Sequence, residues 1–107
     1  MPDILLFWRP RPDLTLSPAE VAREVLWGED VEGLDDLPIK QVIERLKAAF
    51  PEHRESAGQL TLQTGGGRIE TTWTWQHVKA ELHDASDIDR QRLVAVLEGF
   101  DCQTFEG

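Results

Sequence analysis

An apolar run near the start of the sequence constrains the fold more than any other feature. The five residues from Ile4 to Trp8 (ILLFW) are all apolar, and Pro10 and Pro12 follow them. A run this short, stopped by prolines, favours a central β-strand over a helix. Successive side chains of a strand point to opposite faces of its sheet, so this strand is apolar on both faces. Both faces of the sheet therefore need cover at this strand.

Three segments carry the signals of amphipathic helices. A capping box at Ser17–Glu20, with Pro18 at the first helical position, predicts a helix over residues 17–27. Apolar residues that recur every three or four positions predict a second helix over residues 36–50. A serine cap and a terminal glycine predict the last helix over residues 86–99.

Short β-prone segments predict the remaining strands. An alternating segment at residues 60–63 is followed by three glycines, which predict a hairpin turn, and by a long β-prone run over residues 68–82. The apolar residues of this run change from odd to even positions partway along it. Because a period of two cannot change parity without an extra residue, we predict a β-bulge near residues 76–77. A final strand is predicted over residues 100–105.

The order of these elements predicts an α+β fold. Without one of the first two helices, the order is similar to the split β-α-β pattern of ferredoxin-like folds. This resemblance implies a four-stranded antiparallel sheet with the helices on one face and the strand order fourth, first, third, second. Residues 1–107 are predicted to form a single globular domain. The second face of the first strand would then be covered by a tail, a displaced helix or another subunit.

The charge balance argues against several classes of partner. The chain has 11 Lys and Arg against 20 Asp and Glu, and its formal net charge of −9 opposes nucleic-acid binding. No apolar run approaches the roughly 20 residues that cross a bilayer, so no membrane partner is predicted. The single cysteine and the lack of a signal-peptide pattern predict a cytoplasmic protein.

The segment at residues 29–36 combines many carboxylates with few apolar residues, which predicts a loop. Its spacing is not that of a calcium-binding loop. We expect this acidic loop to face a basic protein partner, as it would in an inhibitor or immunity-type protein. Its carboxylates are Glu29, Asp30, Glu32, Asp35 and Asp36.

The histidines and the cysteine predict no metal site, no cofactor and no catalytic nucleophile. His77 and His83 lie on one predicted strand, about 20 Å apart. His53 lies in a predicted loop, and neither an H-E-x-x-H pattern nor a pair of cysteines is present. A chelator is therefore expected to leave the fold unchanged. Cys102 is two predicted strands away from His77 and His83, and we interpret it as a small buried hydrophobe.

A binding surface is predicted on one face of the sheet. Trp73 and Trp75 share the other face and are expected to pack against the helices. The binding face would carry the apolar strip of the first strand among polar residues, which is typical of an interaction surface. Threonine is also a good strand former, so β-propensity alone is the alternative explanation. The predicted surface residues are Thr72, Thr74, His77 and Lys79.

Together these features favour a small, acidic, non-enzymatic interaction or regulatory module. It would use its open sheet face or its acidic loop to bind a protein partner or a second copy of itself, as a homodimer. The alternative is a small-molecule-binding protein or a small enzyme with a pocket at a ferredoxin-like dimer interface. In that alternative, His77 would be the acid or base.

Overall fold

The computed structural model describes residues 3–106 and has an α+β fold. A six-stranded antiparallel sheet is combined with three helices. The strands are β1 Asp3–Trp8, β2 His53–Ser56, β3 Gln59–Gln63, β4 Arg68–Trp73, β5 His77–His83 and β6 Gln103–Glu106, and the helices are α1 Pro18–Leu26, α2 Ile39–Ala49 and α3 Asp87–Glu98. The strand order is β2-β3-β4-β5-β1-β6, which places β1 between β5 and β6.

The prediction of a four-stranded ferredoxin-like sheet is wrong, and one reason lies in the run at residues 68–82. The chain reverses direction within this run, where the amide of Thr74 donates a hydrogen bond to the carbonyl oxygen of His77 (2.9 Å). The run therefore forms two strands, β4 and β5, with Trp73 paired to Val78. This pairing puts odd residues of β4 and even residues of β5 on one face, so a hairpin explains the change of parity and no bulge is needed.

The other unpredicted strand, β2, lies at the edge of the sheet beside β3. All of its residues are exposed, so its sequence shows no apolar alternation. Its Glu55 forms an ion pair with Lys47 of α2. The ring atom Nδ1 of His53 lies 2.8 Å from the carbonyl oxygen of Phe50, just after that helix. These contacts attach the edge strand to the end of α2.

Helices α2 and α3 cover one face of the sheet. Alternate residues of β1, β3, β4 and β5 point to this face and meet the buried stripes of both helices. This first core includes Leu5, Phe7, Val42, Leu46, Phe50, Leu62, Ile69, Val78, Leu93 and Leu97. Trp73 packs against it and is partly buried, in agreement with its predicted orientation.

Helix α1 lies on the opposite face, so the prediction that all helices share one face is also wrong. The physical reason is the strand β1, whose second apolar face must be removed from water. A displaced helix, one of the three kinds of cover expected for this face, buries it together with the loop that follows. This second core consists of Leu6, Trp8, Val21, Ala22, Val25, Val31 and Leu34.

The helices begin close to their predicted positions, and all of them are short. The hydroxyl of Ser17 accepts a hydrogen bond from the amide of Glu20 (3.3 Å), and the Glu20 carboxylate accepts one from the amide of Ser17 (3.1 Å). Helix α3 begins after the predicted cap Ser86 and has 12 residues. Within residues 3–106, no helix is both long and apolar enough to cross a membrane.

The turn between β3 and β4 packs against the end of β5 and requires glycine at position 67. A Cβ atom at Gly67 would lie 2.0 Å from the carbonyl oxygen of His83 and 2.7 Å from the carbonyl carbon of Asp84. We expect Gly67→Ala to lower the free energy of unfolding by about 1–3 kcal/mol, measured by urea denaturation. Gly66→Ala is the matched control, because a Cβ there meets nothing within 4 Å. Equal denaturation midpoints for the two variants would contradict this packing.

Candidate interaction surface

The acidic loop at residues 29–36 is attached to the sheet by a buried glutamine. Gln76 lies in the turn between β4 and β5, and its side chain reaches the backbone of Val31. Its Oε1 accepts a hydrogen bond from the amide of Val31 (2.9 Å), and its Nε2 donates one to the carbonyl oxygen of Val31 (2.8 Å). Because this contact is buried, both backbone groups of Val31 are satisfied away from water.

Further hydrogen bonds hold the second half of the loop. The amide of Arg11 donates to the carbonyl oxygen of Gly33 (2.8 Å), and Nη2 of Arg11 donates to that of Leu34 (2.9 Å). The amide of Leu37 donates to the carbonyl oxygen of Trp75 (2.9 Å). The loop backbone is therefore fixed against both the Arg11 segment and the turn between β4 and β5.

The carboxylates of this loop face the solvent. Glu29, Asp30, Glu32 and Asp36 are exposed, and none of them forms an ion pair with another of the described residues. Asp35 differs, since its Oδ1 lies 3.8 Å from Nε of Arg11. The acidic loop thus presents unpaired negative charges on a fixed backbone.

Two exposed indoles lie beside the acidic loop. Trp27, at the C-cap of α1, is 81% exposed, and Trp75 is 49% exposed. The prediction that Trp75 packs in the core is wrong, because it lies in the turn at residues 74–76, beyond the end of β4. We call the surface formed by the acidic loop, Trp27 and Trp75 the loop end. Exposed aromatic side chains of this size are common at protein–protein interfaces.

Sequence reasoning missed Trp27 as a surface residue, although a signal for it was present. The buried residues of α1 are Val21, Ala22 and Val25. Position 27 lies two residues after Val25, which turns its side chain to the other side of the helix. Gly28 follows with a φ of +82°, where the helix ends. An indole outside the apolar stripe at a helix end indicates exposure.

The predicted sheet-face residues lie close together, on and beside β4 and β5. We call the face of β2 to β5 that points away from α2 and α3 the open sheet face. Thr72 pairs with Lys79 on this face, and His77 is on it too. Thr74 lies in the turn, where its hydroxyl is 2.9 Å from Nδ1 of His77 and accepts a hydrogen bond from the amide of Gln76 (3.2 Å). Thr74 therefore supports the turn.

The chemistry available at His77 is limited. Burial, and next the nearby Lys79 ammonium group, lower the pKa of His77 below its ordinary value. The ring is therefore neutral at neutral pH. The apolar strip expected beside His77 is not open, because α1 covers Leu6 and Trp8. The four-stranded sheet of the ferredoxin-like dimer analogy is not found in residues 3–106, where the sheet has six strands.

Cys102 is buried next to β6, as the sequence predicts for a small hydrophobe. Burial raises the pKa of its thiol to about 11, so little of the reactive thiolate exists at neutral pH. β1 separates the strand β6 from β5, which carries His77 and His83. This arrangement does not form a cysteine–histidine catalytic pair.

Comparison with protein-family models found no match, and comparison with curated protein sequences found no significant match. The functional assignment therefore depends on the geometry of the loop end and of the open sheet face.

Proposed function

We propose that this chain is a non-enzymatic protein-interaction module that binds a basic partner through its loop end. One observation carries the proposal: two exposed indoles stand beside a fixed loop, and four of its five carboxylates pair with no cation among residues 3–106. The formal net charge of −9 supports a basic protein and argues against nucleic acid. The single cysteine, which is buried, supports the cytoplasm as the compartment we expect.

The chemistry of the loop end suits a surface rich in arginine or lysine. Carboxylates steer a basic partner and fix its orientation. Indole is the best aromatic acceptor for a cation–π contact and is among the residues most enriched at binding hot spots. The hydrogen bonds to Val31 and Gly33 hold the loop before the partner arrives, so less conformational entropy is lost on binding.

The open sheet face is the second candidate surface, through Thr72, Thr74, His77 and Lys79. Its occupant would be a partner protein or a second copy of this chain. We favour the loop end because the charged groups of the open sheet face already pair with one another. Lys79 lies 3.4 Å from Glu81, and Arg68 lies 3.0 Å from Glu70. Such pairs leave less charge available to a partner.

The test is quantitative capture of a partner from a lysate of the source organism with tag-cleaved, immobilised protein. The loop variant is Glu29→Lys/Glu32→Lys. The control is Glu52→Lys/Asp84→Lys, which makes the same charge change at exposed positions near the opposite end of the sheet from the turn that carries Trp75. We expect the loop variant to weaken capture at least about tenfold and the control to retain it. We expect Trp27→Ala to weaken it by a similar factor or more.

Two results would overturn this proposal. Equal losses in the loop variant and the control would show that net charge alone drives capture. Capture that survives the loop variant and Trp27→Ala but is lost in Thr72→Arg would move the binding surface to the open sheet face.

A further inference from the structure

A cluster of potential metal ligands lies on the open sheet face and is not part of the loop end. Glu70 of β4 and Glu81 of β5 are directly opposite each other in the sheet. His83 follows two residues after Glu81, so its side chain is on the same face. All three side chains are partly buried. Like charges directly opposite on neighbouring strands destabilise a sheet, so nearby cations stabilise this pair.

The atoms of the cluster converge on one point. His83 Nε2 lies 3.5 Å from Oε2 of Glu70 and 3.7 Å from Oε2 of Glu81, and the three ligand atoms lie within 4.8 Å of one another. These distances are longer than a hydrogen bond. They are close to the about 3.4 Å that separates neighbouring ligands of a tetrahedral zinc ion with bonds of about 2.1 Å.

The Nε2 atom of His83 faces the Glu70 and Glu81 carboxylates without forming a hydrogen bond to either. This atom is buried, and no hydrogen-bond partner for it exists among the described residues. A buried polar atom of this kind requires an explanation, and a bound ion is one.

One oxygen of each carboxylate, Oε1, already forms an ion pair with a cationic side chain. Nε of Arg68 lies 3.0 Å from Oε1 of Glu70, and Nζ of Lys79 lies 3.4 Å from Oε1 of Glu81. Each carboxylate therefore turns its other oxygen, Oε2, towards His83. Carboxylates that bind a metal ion in proteins are usually also hydrogen-bonded by neighbouring groups, which orient them.

We propose that Glu70, Glu81 and His83 bind a divalent transition-metal ion, with zinc as the ion that fits best. An imidazole ligand favours zinc over calcium and magnesium, which take oxygen ligands. Three protein ligands leave a fourth position for water or for a donor from another molecule. His83 lies at the opposite end of β5 from the turn that carries Trp75, about 20 Å from His77, and Glu81 lies about 13 Å from His77. Zinc binding can therefore fail without affecting the interaction proposed for the loop end.

The sequence predicts no metal site, because its potential ligands do not have the spacings of known metal-binding motifs. The ligands come from two strands, and the hairpin brings residues 70 and 81 together. Because the sequence did not predict that hairpin, it did not predict the pairing of Glu70 with Glu81. His77 and His83 lie at opposite ends of one strand, as predicted.

Titration of the tag-cleaved, metal-free protein with zinc chloride, followed by calorimetry, tests the site. We expect one equivalent to bind, and we expect His83→Gln and Glu81→Gln to weaken binding at least about tenfold. His77→Gln is the matched control, because it removes a histidine from the same face of the same strand and should leave zinc binding unchanged. Circular dichroism checks that each variant is folded. If His83→Gln does not fold, zinc binding by Glu81→Gln, which preserves the side-chain shape, tests the site.

Cobalt(II) provides a second readout of the same site. A four-coordinate site with nitrogen and oxygen ligands gives cobalt a strong visible absorption that His83→Gln should remove. No zinc binding by the wild-type protein would overturn the proposal. Zinc binding that both variants retain would also overturn it, and would place the ion elsewhere on the chain.

Discussion

Replacing Trp8 with alanine should lower the free energy of unfolding by about 3–5 kcal/mol, as measured by urea denaturation. Trp8 is fully buried in the second core, between the sheet and α1. Its ring centroid lies 6.0 Å from that of Phe105 on β6. Alanine would leave a cavity below α1 that a rigid sheet cannot close. The decrease in the free energy of unfolding should therefore be among the larger ones that a single substitution causes.

Two further variants test whether the loss of stability is caused by the burial of Trp8. Trp27→Ala removes the same side chain from an exposed position and should leave the midpoint nearly unchanged. Trp8→Phe should cost less than Trp8→Ala, because it keeps most of the ring and removes the indole nitrogen, which is buried without a partner among the described residues. A midpoint for Trp8→Ala equal to that of the wild-type protein would mean that α1 does not cover this face.

Replacing Gln76 with alanine should lower the free energy of unfolding by about 2–4 kcal/mol. Alanine removes both hydrogen bonds to Val31 and leaves a buried amide and a buried carbonyl without partners. The acidic loop would also lose its attachment to the sheet. We therefore expect faster amide hydrogen exchange at residues 29–36, detected by mass spectrometry, in addition to the lower stability.

Gln76→Met separates the hydrogen bonds from the volume of the side chain. Methionine fills a similar space but can neither donate nor accept these bonds, so its loss should be close to that of alanine. Gln63→Ala, at an exposed position of β3, should change little. If Gln76→Met were as stable as the wild-type protein, the hydrogen bonds to Val31 would not hold the loop.

Local signals predicted the helices and the need for cover on both faces of β1. The capping box at Ser17 and the cap at Ser86 are short-range patterns, so each predicted a helix start correctly. The run from Ile4 to Trp8 predicted cover on two faces. It could not show which helix covers the second face of β1, because α1 and α2 both have an apolar stripe. Only the packed sheet assigns α1 to the second face.

The features that the sequence did not reveal depend on distant residues. Gln76 and Val31 are 45 positions apart, and nothing in the local sequence marks either as a partner of the other. The turn at residues 74–76 lacks glycine and proline, so it gave no strong signal. Without that turn, neither the exposure of Trp75 nor the pairing of Glu70 with Glu81 could be predicted. The acidic loop itself was visible in the sequence, but its fixed backbone was not.

Site-specific photo-crosslinking tests the loop end most directly as the binding surface. A photoreactive phenylalanine analogue is placed at position 27 in one variant and at position 72 on the open sheet face in the other. Both positions are exposed, so each variant should fold like the wild-type protein. After irradiation with the captured partner, we predict a crosslinked product from position 27 and little from position 72. A product from position 72 alone would contradict a binding surface at the loop end.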